Sequence, residues 1–242
     1  MYISIAHIKI PRVLLGTSPF IGAGQFERAY EYFQKFYLNP KEIEKLIKFS
    51  YSLGVKGIQA LPFEPIPQVL AKVLKEIPDL CVIPSVLKAY DIDLFQKFDA
   101  PLMFLHAGIS NKKNKEELEE LLDEIRDTGA IAGIATHKPY EVLTWIKENR
   151  IKVNAVLVPF NKAGLFMDTS PDELIKLLRE LNVIVFAKKT LGAGRLPVKE
   201  SLEFVAKTEV IDGITIGVAS EEEAKETFSL ALSLFSKEVK KK

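Results

Sequence analysis

The sequence contains very little cysteine, histidine and tryptophan: one cysteine, three histidines and one tryptophan among 242 residues. A single cysteine, Cys81, excludes an internal disulfide framework and is typical of a reducing compartment. The formal net charge is only +1, so we expect no broad electrostatic attraction to nucleic acid or membrane. No apolar run has the length of a membrane helix, and the chain does not begin with a signal-peptide pattern. We therefore expect a cytoplasmic protein without nucleic-acid or membrane partners.

A short strand, a loop and an amphipathic helix repeat eight times after a first segment that ends at Pro11. Alternating strands and helices require a parallel sheet, and eight such units at this length predict a closed (β/α)₈ TIM barrel of the α/β class. We expect one domain spanning residues 1–242, with an open doubly wound sheet as the alternative. Tyr2 to Ile10 should form a short hairpin or capping strand, and Lys240 to Lys242 should be a solvated tail.

Proline and polar capping residues set the predicted helix boundaries. One short helix is predicted from Ile92 to Phe98 after an opening Asp91, and the last helix from about Ser220 to Val239. The aromatic segment from Phe26 to Tyr37 is predicted to be a loop that packs on the first helix or serves as a lid or subunit interface. Many Lys and Glu residues with little Cys and Met resemble the composition of heat-adapted (thermophilic) proteins.

One strand and the loop after it carry the clearest ligand-binding pattern. Val183 to Lys188 is predicted to be a buried strand, and neighbouring strand residues point to opposite faces. One of Lys188 and Lys189 should therefore face the centre of the fold. The two glycines that follow leave backbone N–H groups approachable, and Arg195 suits phosphate. This pattern indicates a phosphate-binding loop; the alternative is a plain turn with surface lysines.

The loops after the strands form the active site in barrels of this type. Two of the three histidines, His106 and His137, follow predicted strands and should meet at the same rim. An imidazole there could donate to a carbonyl oxygen or transfer a proton, or it could simply bind a neighbouring loop. Glu64 stands nearly alone as a rim carboxylate, which argues against a metal site and against glycosidase chemistry.

With the strand ends in order, the chain resembles the aldo-keto reductase superfamily along nearly its whole length. The similar segments are Leu14–Gly22, Leu53–Gln59, Phe104–His106, Gly133–His137, Val158–Asn161, Ala187–Leu196 and Ile216–Ser220 followed by Glu226. The resemblance implies a barrel that transfers hydride between a nicotinamide cofactor and a carbonyl compound.

The resemblance also implies a tyrosine acid tuned by a lysine and an aspartate, with a histidine that orients the substrate. Only His106 matches its position in that set. Gln59 stands at the aspartate, Glu64 at the tyrosine and Ser85 at the lysine, with Lys88 one turn away. The candidate catalytic residues are therefore His106, Lys88, Glu64 and Gln59.

The cofactor contacts implied by the resemblance are mixed. Thr136 and Leu157 stand where amide side chains would hold the nicotinamide, and the acidic run Glu221–Glu223 would repel a 2′-phosphate. NAD(H) is therefore favoured over NADP(H). The candidate cofactor-binding residues are Thr17, Thr136, His137, Asn161, Lys188, Lys189, Leu191, Gly192, Gly194, Arg195, Gly217, Ser220 and Glu226.

Three functions are open from the sequence. The first is a divergent oxidoreductase that reduces a carbonyl group. The second is a lyase, aldolase or isomerase that acts on a small phosphorylated carbonyl compound through Lys188, whose pKa the adjacent Lys189 would lower. The third is a barrel that binds a ligand without turnover. In each case we expect a small-molecule partner and a monomer or small homo-oligomer.

Overall fold

The computed structural model describes residues 1–241, and eight of its strands close into a parallel barrel. The strands are β1 Tyr2–Ile5, β2 Ile8–Pro11, β3 Val13–Gly16, β4 Gly57–Ala60, β5 Cys81–Val86, β6 Leu102–Leu105, β7 Ile131–Ala135, β8 Ala155–Pro159, β9 Ile184–Lys188, β10 Gly213–Ile216 and β11 Val239–Lys241. Strands β3 to β10 follow one another around the barrel in chain order, and β10 pairs with β3 to close it. The predicted (β/α)₈ barrel is confirmed.

Helices follow the barrel strands and cover the outside of the barrel. They are α1 Ala29–Tyr32, α2 Pro40–Ser52, α3 Ile66–Glu76, α4 Ala89–Gln96, α5 Ala107–Ser110, α6 Lys115–Asp127, α7 Pro139–Glu148, α8 Pro171–Leu181, α9 Val198–Lys207 and α10 Glu221–Leu234. Proline occupies the first turn of α2, α7 and α8, where its missing N–H removes no helical hydrogen bond. Among the helices of residues 1–241, none has the length and apolar composition to cross a membrane.

The core has two layers because alternate strand residues face inward and outward. Outward residues pack under the helices. The inward layer consists of Leu14, Ile83, Leu102, Phe104, Ala135, Ala155, Leu157, Ile184 and Phe186, joined by Ile3 and Ile10. Ile3 and Ile10 come from the antiparallel hairpin β1–β2, which therefore closes the end of the barrel where the strands begin. The predicted hairpin is confirmed.

The C-terminal segment differs from the prediction. The last helix ends at Leu234, five residues before the expected Val239, because Phe235 is buried and leaves the helical path. The chain then returns as β11, which pairs in parallel with β1. Lys240 is exposed, as expected of a solvated tail, although it lies in this strand. The expectation was wrong for Lys241, which is half-buried against Asp212, and Lys242 lies outside the described residues.

Two further boundaries differ from the sequence prediction. Helix α4 spans 89–96, whereas the predicted helix ran from 92 to 98. Asp91 lies inside the helix, and its buried carboxylate accepts a hydrogen bond from the Leu87 N–H at 2.9 Å. The segment 26–37 is partly helical, with α1 and a π-helical turn at Phe33–Tyr37. Phe36 of this turn is fully buried, with its ring 5.1 Å from that of Phe20, so the segment is anchored to the barrel.

Charged groups at the closed end of the barrel are neutralised. The Arg12 Nε donates to the Asp212 carbonyl oxygen at 2.6 Å, and its guanidinium lies 4.9 Å from the Phe235 ring centroid. The buried Asp212 carboxylate lies 3.0 Å from the Lys241 ammonium and accepts from the Val185 N–H at 2.9 Å. Burial raises the pKa of Asp212, and these partners oppose that rise.

Candidate active site

The inward face of several strands changes from apolar to polar at the carboxyl end. Ile83 on β5 is followed two residues later by Ser85, Phe104 on β6 by His106, and Phe186 on β9 by Lys188. We call this set the mouth ring; its members are Gln59, Ser85, His106, His137, Lys188 and Thr215. The mouth ring contains no carboxylate and no phenol.

Gln59 and Ser85 occupy the positions at which the resemblance implied an aspartate and a lysine. Both side chains are buried, and the Gln59 Nε2 donates to the Ser85 Oγ at 3.0 Å. The two positions are therefore neighbours, but a neutral hydrogen bond replaces an ion pair. Such a pair orients an amide and a hydroxyl, whereas it supplies no charge that would tune a proton donor.

His106 has a defined tautomer. It precedes α5, and its Nδ1 accepts a hydrogen bond from the Gly108 N–H at 3.0 Å. Burial first, and then the nearby Lys188 charge, lower the pKa of His106 to about 4. The imidazole is therefore neutral at pH 7, and its single proton is on Nε2. Its ring makes edge-to-face contacts with Phe63 and His137, at centroid distances of 6.0 and 6.2 Å.

Lys188 and His137 form the polar contact on the other side of the mouth ring. The Lys188 Nζ lies 3.5 Å from the His137 Nδ1. Burial, and then the charge of Lys189, lower the pKa of Lys188 to about 7. Burial first, and then the charges of Lys188 and Lys189 and the neighbouring His106, lower the pKa of His137 to about 3, although the residue is exposed. Within residues 1–241, no carboxylate lies within ion-pair distance of Lys188.

Lys189 follows the last residue of β9, and its side chain contacts an aromatic ring rather than a member of the mouth ring. Its backbone has a positive φ of 56°, and its ammonium lies 4.5 Å from the centroid of the Phe166 ring. Burial lowers the pKa of Lys189. One of the two adjacent lysines therefore enters the mouth ring, whereas the other makes a cation–π contact outside it.

In the loop after β9, the backbone N–H groups of the two glycines donate to carbonyl oxygens of the same loop. The Gly192 N–H donates to the Lys189 carbonyl oxygen at 2.9 Å, and the Gly194 N–H donates to that of Leu191 at 3.0 Å. The Arg195 guanidinium donates to the Gly192 and Gln25 carbonyl oxygens and lies 3.3 Å from the Glu27 carboxylate. The two glycine N–H groups are therefore not free to hold a phosphate, and a phosphate-binding role for this loop stays a prediction.

Thr17 and Gly217 lie where the first and last barrel strands meet. The buried Thr17 hydroxyl donates to the Gln59 carbonyl oxygen at 3.1 Å and accepts from the Leu61 N–H at 3.0 Å. A Cβ at Gly217 would lie 2.6 Å from the Pro19 Cγ, so Gly217 permits close packing of the loop after β3. Both residues therefore have structural roles in addition to the predicted contact with a cofactor.

Thr136 and Asn161 hold loops beside the mouth. The Thr136 hydroxyl donates to the Asn111 Oδ1 at 2.8 Å and accepts from the Lys138 N–H at 3.0 Å. The Asn161 Nδ2 donates to the Leu165 carbonyl oxygen at 2.8 Å, and its Oδ1 accepts backbone N–H groups of the same loop. The hydrogen-bonding groups of these two side chains are therefore occupied by other groups of the protein.

The N-terminus of α10 has its own cap. The Ser220 Oγ accepts from the Glu223 N–H at 3.1 Å, and the Glu223 carboxylate accepts from the Ala219 N–H at 2.8 Å. A cavity of about 160 Å³ beside this cap is lined in part by Lys35 and Lys45. The acidic run at the start of α10 therefore stabilises the helix, and Glu226 lies exposed further along it.

Two predicted catalytic residues are outside the mouth ring. Lys88 is exposed just before α4, with its ammonium 5.4 Å from the Tyr90 ring centroid. Glu64 is exposed in the loop before α3, next to Phe63. No hydrogen bond or ion pair joins either side chain to His106 within the described residues, and their catalytic roles stay predictions.

Thr215 was not among the site residues predicted from the sequence, but it belongs to the mouth ring. Its hydroxyl and that of Thr190 are buried without a hydrogen-bond partner in the described part of the chain. An unpartnered buried hydroxyl is costly, and a bound ligand would offset that cost. The signal for Thr215 was available: it follows Gly213 by two residues and therefore shares its inward face. No group of three or more His, Cys, Asp and Glu residues in 1–241 is placed to hold a metal ion.

Comparisons with solved structures give the fold class. A provisionally assigned aldo-keto reductase from Pseudomonas aeruginosa has a TM-score of 0.70 and 16% identity, with 94% of this chain and 92% of that chain covered. An aldo-keto reductase from Brucella melitensis has a TM-score of 0.62 and 12% identity, with 95% of both chains covered. An aspartate-to-alanine mutant of Gox0644 in complex with NADPH has a TM-score of 0.64 and 12% identity, with 98% of this chain and 93% of that chain covered.

The sequence matches no protein-family model and no curated protein sequence. At the identities given above, the structural similarity establishes the fold and leaves the chemistry to the site itself. The chain has the fold of the aldo-keto reductases, and the predicted resemblance is confirmed at that level. Its mouth is divergent, because neutral and basic groups stand where the resemblance implied a charged catalytic set.

Proposed function

We propose that this chain is an oxidoreductase that reduces the carbonyl group of a small molecule, with NAD(H) favoured as the cofactor. The observation that supports this function most directly is the state of His106. Its Nδ1 is committed to the Gly108 N–H, so the neutral ring presents Nε2–H as a donor for a carbonyl oxygen. This is the role that the resemblance implied for a histidine at that strand end.

The acidic start of α10 favours an unphosphorylated nicotinamide dinucleotide over its 2′-phosphate form. Thr190 and Thr215 offer buried hydroxyls that have no partner among residues 1–241. Glu221–Glu223 at the start of α10 would repel a 2′-phosphate. When bound, such a cofactor would supply the hydride that adds to the carbonyl carbon.

Lys188 supplies the proton in the proposed reaction. The pKa of its ammonium is about 7, and a proton donor is most effective when its pKa is near the working pH. The ammonium gives a proton to the carbonyl oxygen as the carbon accepts the hydride, and the amine then takes a proton back from solvent. Lys188 thus takes the place of the tyrosine acid that the chain lacks.

We further propose one domain that works in the cytoplasm as a monomer or small homo-oligomer. Burial raises the pKa of the single thiol, Cys81, to about 12, so this cysteine is inert. An inert, reduced cysteine supports the cytoplasmic location. The internally bonded glycine loop favours a carbonyl substrate without a phosphate group.

Replacement of His106 tests the proposed function. The experiment measures NADH and NADPH binding by thermal shift and carbonyl reduction by NADH absorbance, over a panel of aldehydes, ketones and quinones. We expect tighter binding of NADH, and a fall in kcat/KM of roughly 10²–10³-fold in His106→Ala, because a preorganised donor to the carbonyl oxygen is lost.

The matched control is His7→Ala. His7 is the third histidine; it is exposed in the turn of the hairpin at the closed end of the barrel. This variant should retain wild-type kcat/KM. Absence of nucleotide binding, or equal activity of both variants, would contradict the proposed function.

A further inference from the structure

We propose that the Lys188 amine is a nucleophile that forms a Schiff base with small carbonyl compounds in the mouth of the barrel. This activity goes beyond the proposed reduction because it needs no nucleotide. The carbonyl compound is an aldehyde or ketone that His106 can orient through its Nε2–H.

The barrel holds Lys188 in a fixed position. It is the last residue of β9, where it is paired in register with Pro159 of β8, and its carbonyl oxygen accepts from the Phe160 N–H at 3.0 Å. Its side chain continues the inward face of Ile184 and Phe186. A lysine fixed in this way approaches a bound carbonyl carbon with less loss of entropy than a lysine on the flexible surface.

The charge environment leaves the amine without an anionic partner. The titratable groups near Lys188 are His137 at 3.5 Å, His106 of the mouth ring and the adjacent Lys189, whose ammonium lies on Phe166. Burial, and then the charge of Lys189, lower the pKa of Lys188 to about 7, so roughly half of the amine is unprotonated at pH 7. An ordinary lysine with a pKa of about 10.4 is unprotonated in only about 0.04% of molecules at that pH, which is roughly a 10³-fold difference.

The reaction needs only the site and solvent water as the carrier of protons. The Nζ lone pair attacks the carbonyl carbon, the carbonyl π bond breaks, and the oxygen takes a proton from solvent, with the His106 Nε2–H stabilising the charge that develops there. The nitrogen then loses a proton to solvent, and the hydroxyl group takes a proton from solvent as it leaves. One water is released, a C=N bond forms, and no group is oxidised or reduced.

Two lysines of the same rim serve as comparisons. Lys189 is adjacent in sequence, but its ammonium lies on Phe166. Lys162 follows β8 and pairs with Glu200. Neither lysine lies in the mouth ring.

Reductive trapping tests the proposal. The wild-type protein is incubated at pH 7 with glyceraldehyde or glyceraldehyde 3-phosphate and sodium cyanoborohydride, without nucleotide, and each lysine is followed by peptide mass spectrometry. We expect labelling of Lys188 at least about 10-fold faster than labelling of Lys189, because Lys188 lies in the mouth ring with His106, whereas the Lys189 ammonium lies on the Phe166 ring. The rate should reach half its maximum near pH 7. The two probes separate a phosphorylated from an unphosphorylated preference.

Two variants complete the test. Lys188→Arg should lose the fast labelling, and Lys162→Arg should retain it. Equal labelling of Lys188 and Lys189 in the wild type would overturn the proposal, and this measurement does not depend on the folding of any variant. Slow labelling of Lys188 with intact NADH binding would contradict only this inference, whereas fast labelling without nucleotide binding would contradict only the proposed reductase.

Discussion

Buried charged groups have close partners at the closed end of the barrel, whereas the ammonium at the open end has no carboxylate partner among residues 1–241. At the closed end, the buried Asp212 carboxylate is matched by Lys241, and Arg12 binds carbonyl oxygens and an aromatic ring. At the open end, Lys188 lies among His106, His137 and Lys189 without a carboxylate.

This difference indicates that one end of the barrel serves stability and the other end serves chemistry. Loss of one partner from a matched buried pair destabilises the fold, whereas an unmatched ammonium already destabilises it and keeps the amine reactive. The closed end therefore stabilises the barrel, and the open end lowers that stability while it supplies reactive groups.

The largest expected effect is at the closed end. Asp212→Ala removes the partner of Lys241 and the acceptor of the Val185 N–H. We expect the free energy of unfolding to fall by roughly 3–5 kcal/mol, and Tm by about 10 °C, because one partner of a buried pair is lost. Thermal and guanidinium unfolding measure both quantities. The control, Asp93→Ala on the exposed side of α4, should change stability by less than about 0.5 kcal/mol. If the free energy of unfolding falls only slightly in Asp212→Ala, the buried carboxylate does not stabilise the closed end, and the contrast between the two ends is wrong.

The second effect has the opposite sign and is at the open end. The pKa of Lys188 falls from 10.5 to about 7 on folding, so the unfolded chain binds more protons between these values and wild-type stability rises with pH across this window. Lys188→Met lacks the buried charge. It should be more stable than wild type by roughly 1–3 kcal/mol at pH 6, with allowance for solvent around a half-buried ammonium, and most of this gain should be lost by about pH 10.

Guanidinium unfolding at pH 6 and pH 10 measures this difference. Lys207→Met, at an exposed position in the last turn of α9, serves as the control and should show no such dependence on pH. A variant less stable than wild type at pH 6 would mean that the Lys188 ammonium is stabilised in the mouth, and it would remove the contrast between the two ends.

The smallest expected effect lies at the rim of the open end, outside the mouth ring. Ser170 caps α8: its Oγ accepts from the Glu173 N–H, and the Glu173 carboxylate binds the Ser170 N–H. Ser170→Ala should cost about 1 kcal/mol in unfolding free energy. The pH at which Lys188 labelling is half-maximal should not move, because the cap does not contact the mouth. Ser170→Asp should restore the lost stability, since aspartate also caps helices. A shift of that pH in Ser170→Ala would show that the rim and the mouth are coupled.

Much of the fold followed from local patterns. The alternation of short apolar strands with amphipathic helices predicted the barrel, and the strand ends placed His106 and Lys188 at one rim. The alternation within Val183–Lys188 also predicted that one lysine faces inward. The actual strand begins at Ile184, one residue later than predicted.

Other features depend on residues far apart in the chain. The Arg12–Asp212 contact joins positions 200 residues apart, and the pairing of β11 with β1 joins the two termini. No periodicity signals such contacts, so the tail was predicted to be solvated. The glycine loop looked suited to phosphate, but its donors are used within its own turns and Arg195 reaches the segment before α1.

The sequence by itself determined the order of the elements, the closed barrel and the inward or outward direction of strand side chains, because these depend on residue spacing of two and of about 3.6. Only the tertiary structure decided which charges are matched, which nitrogen of His106 carries the proton and how far the pKa of Lys188 falls. Those properties depend on distances and burial among groups that separate strands bring together.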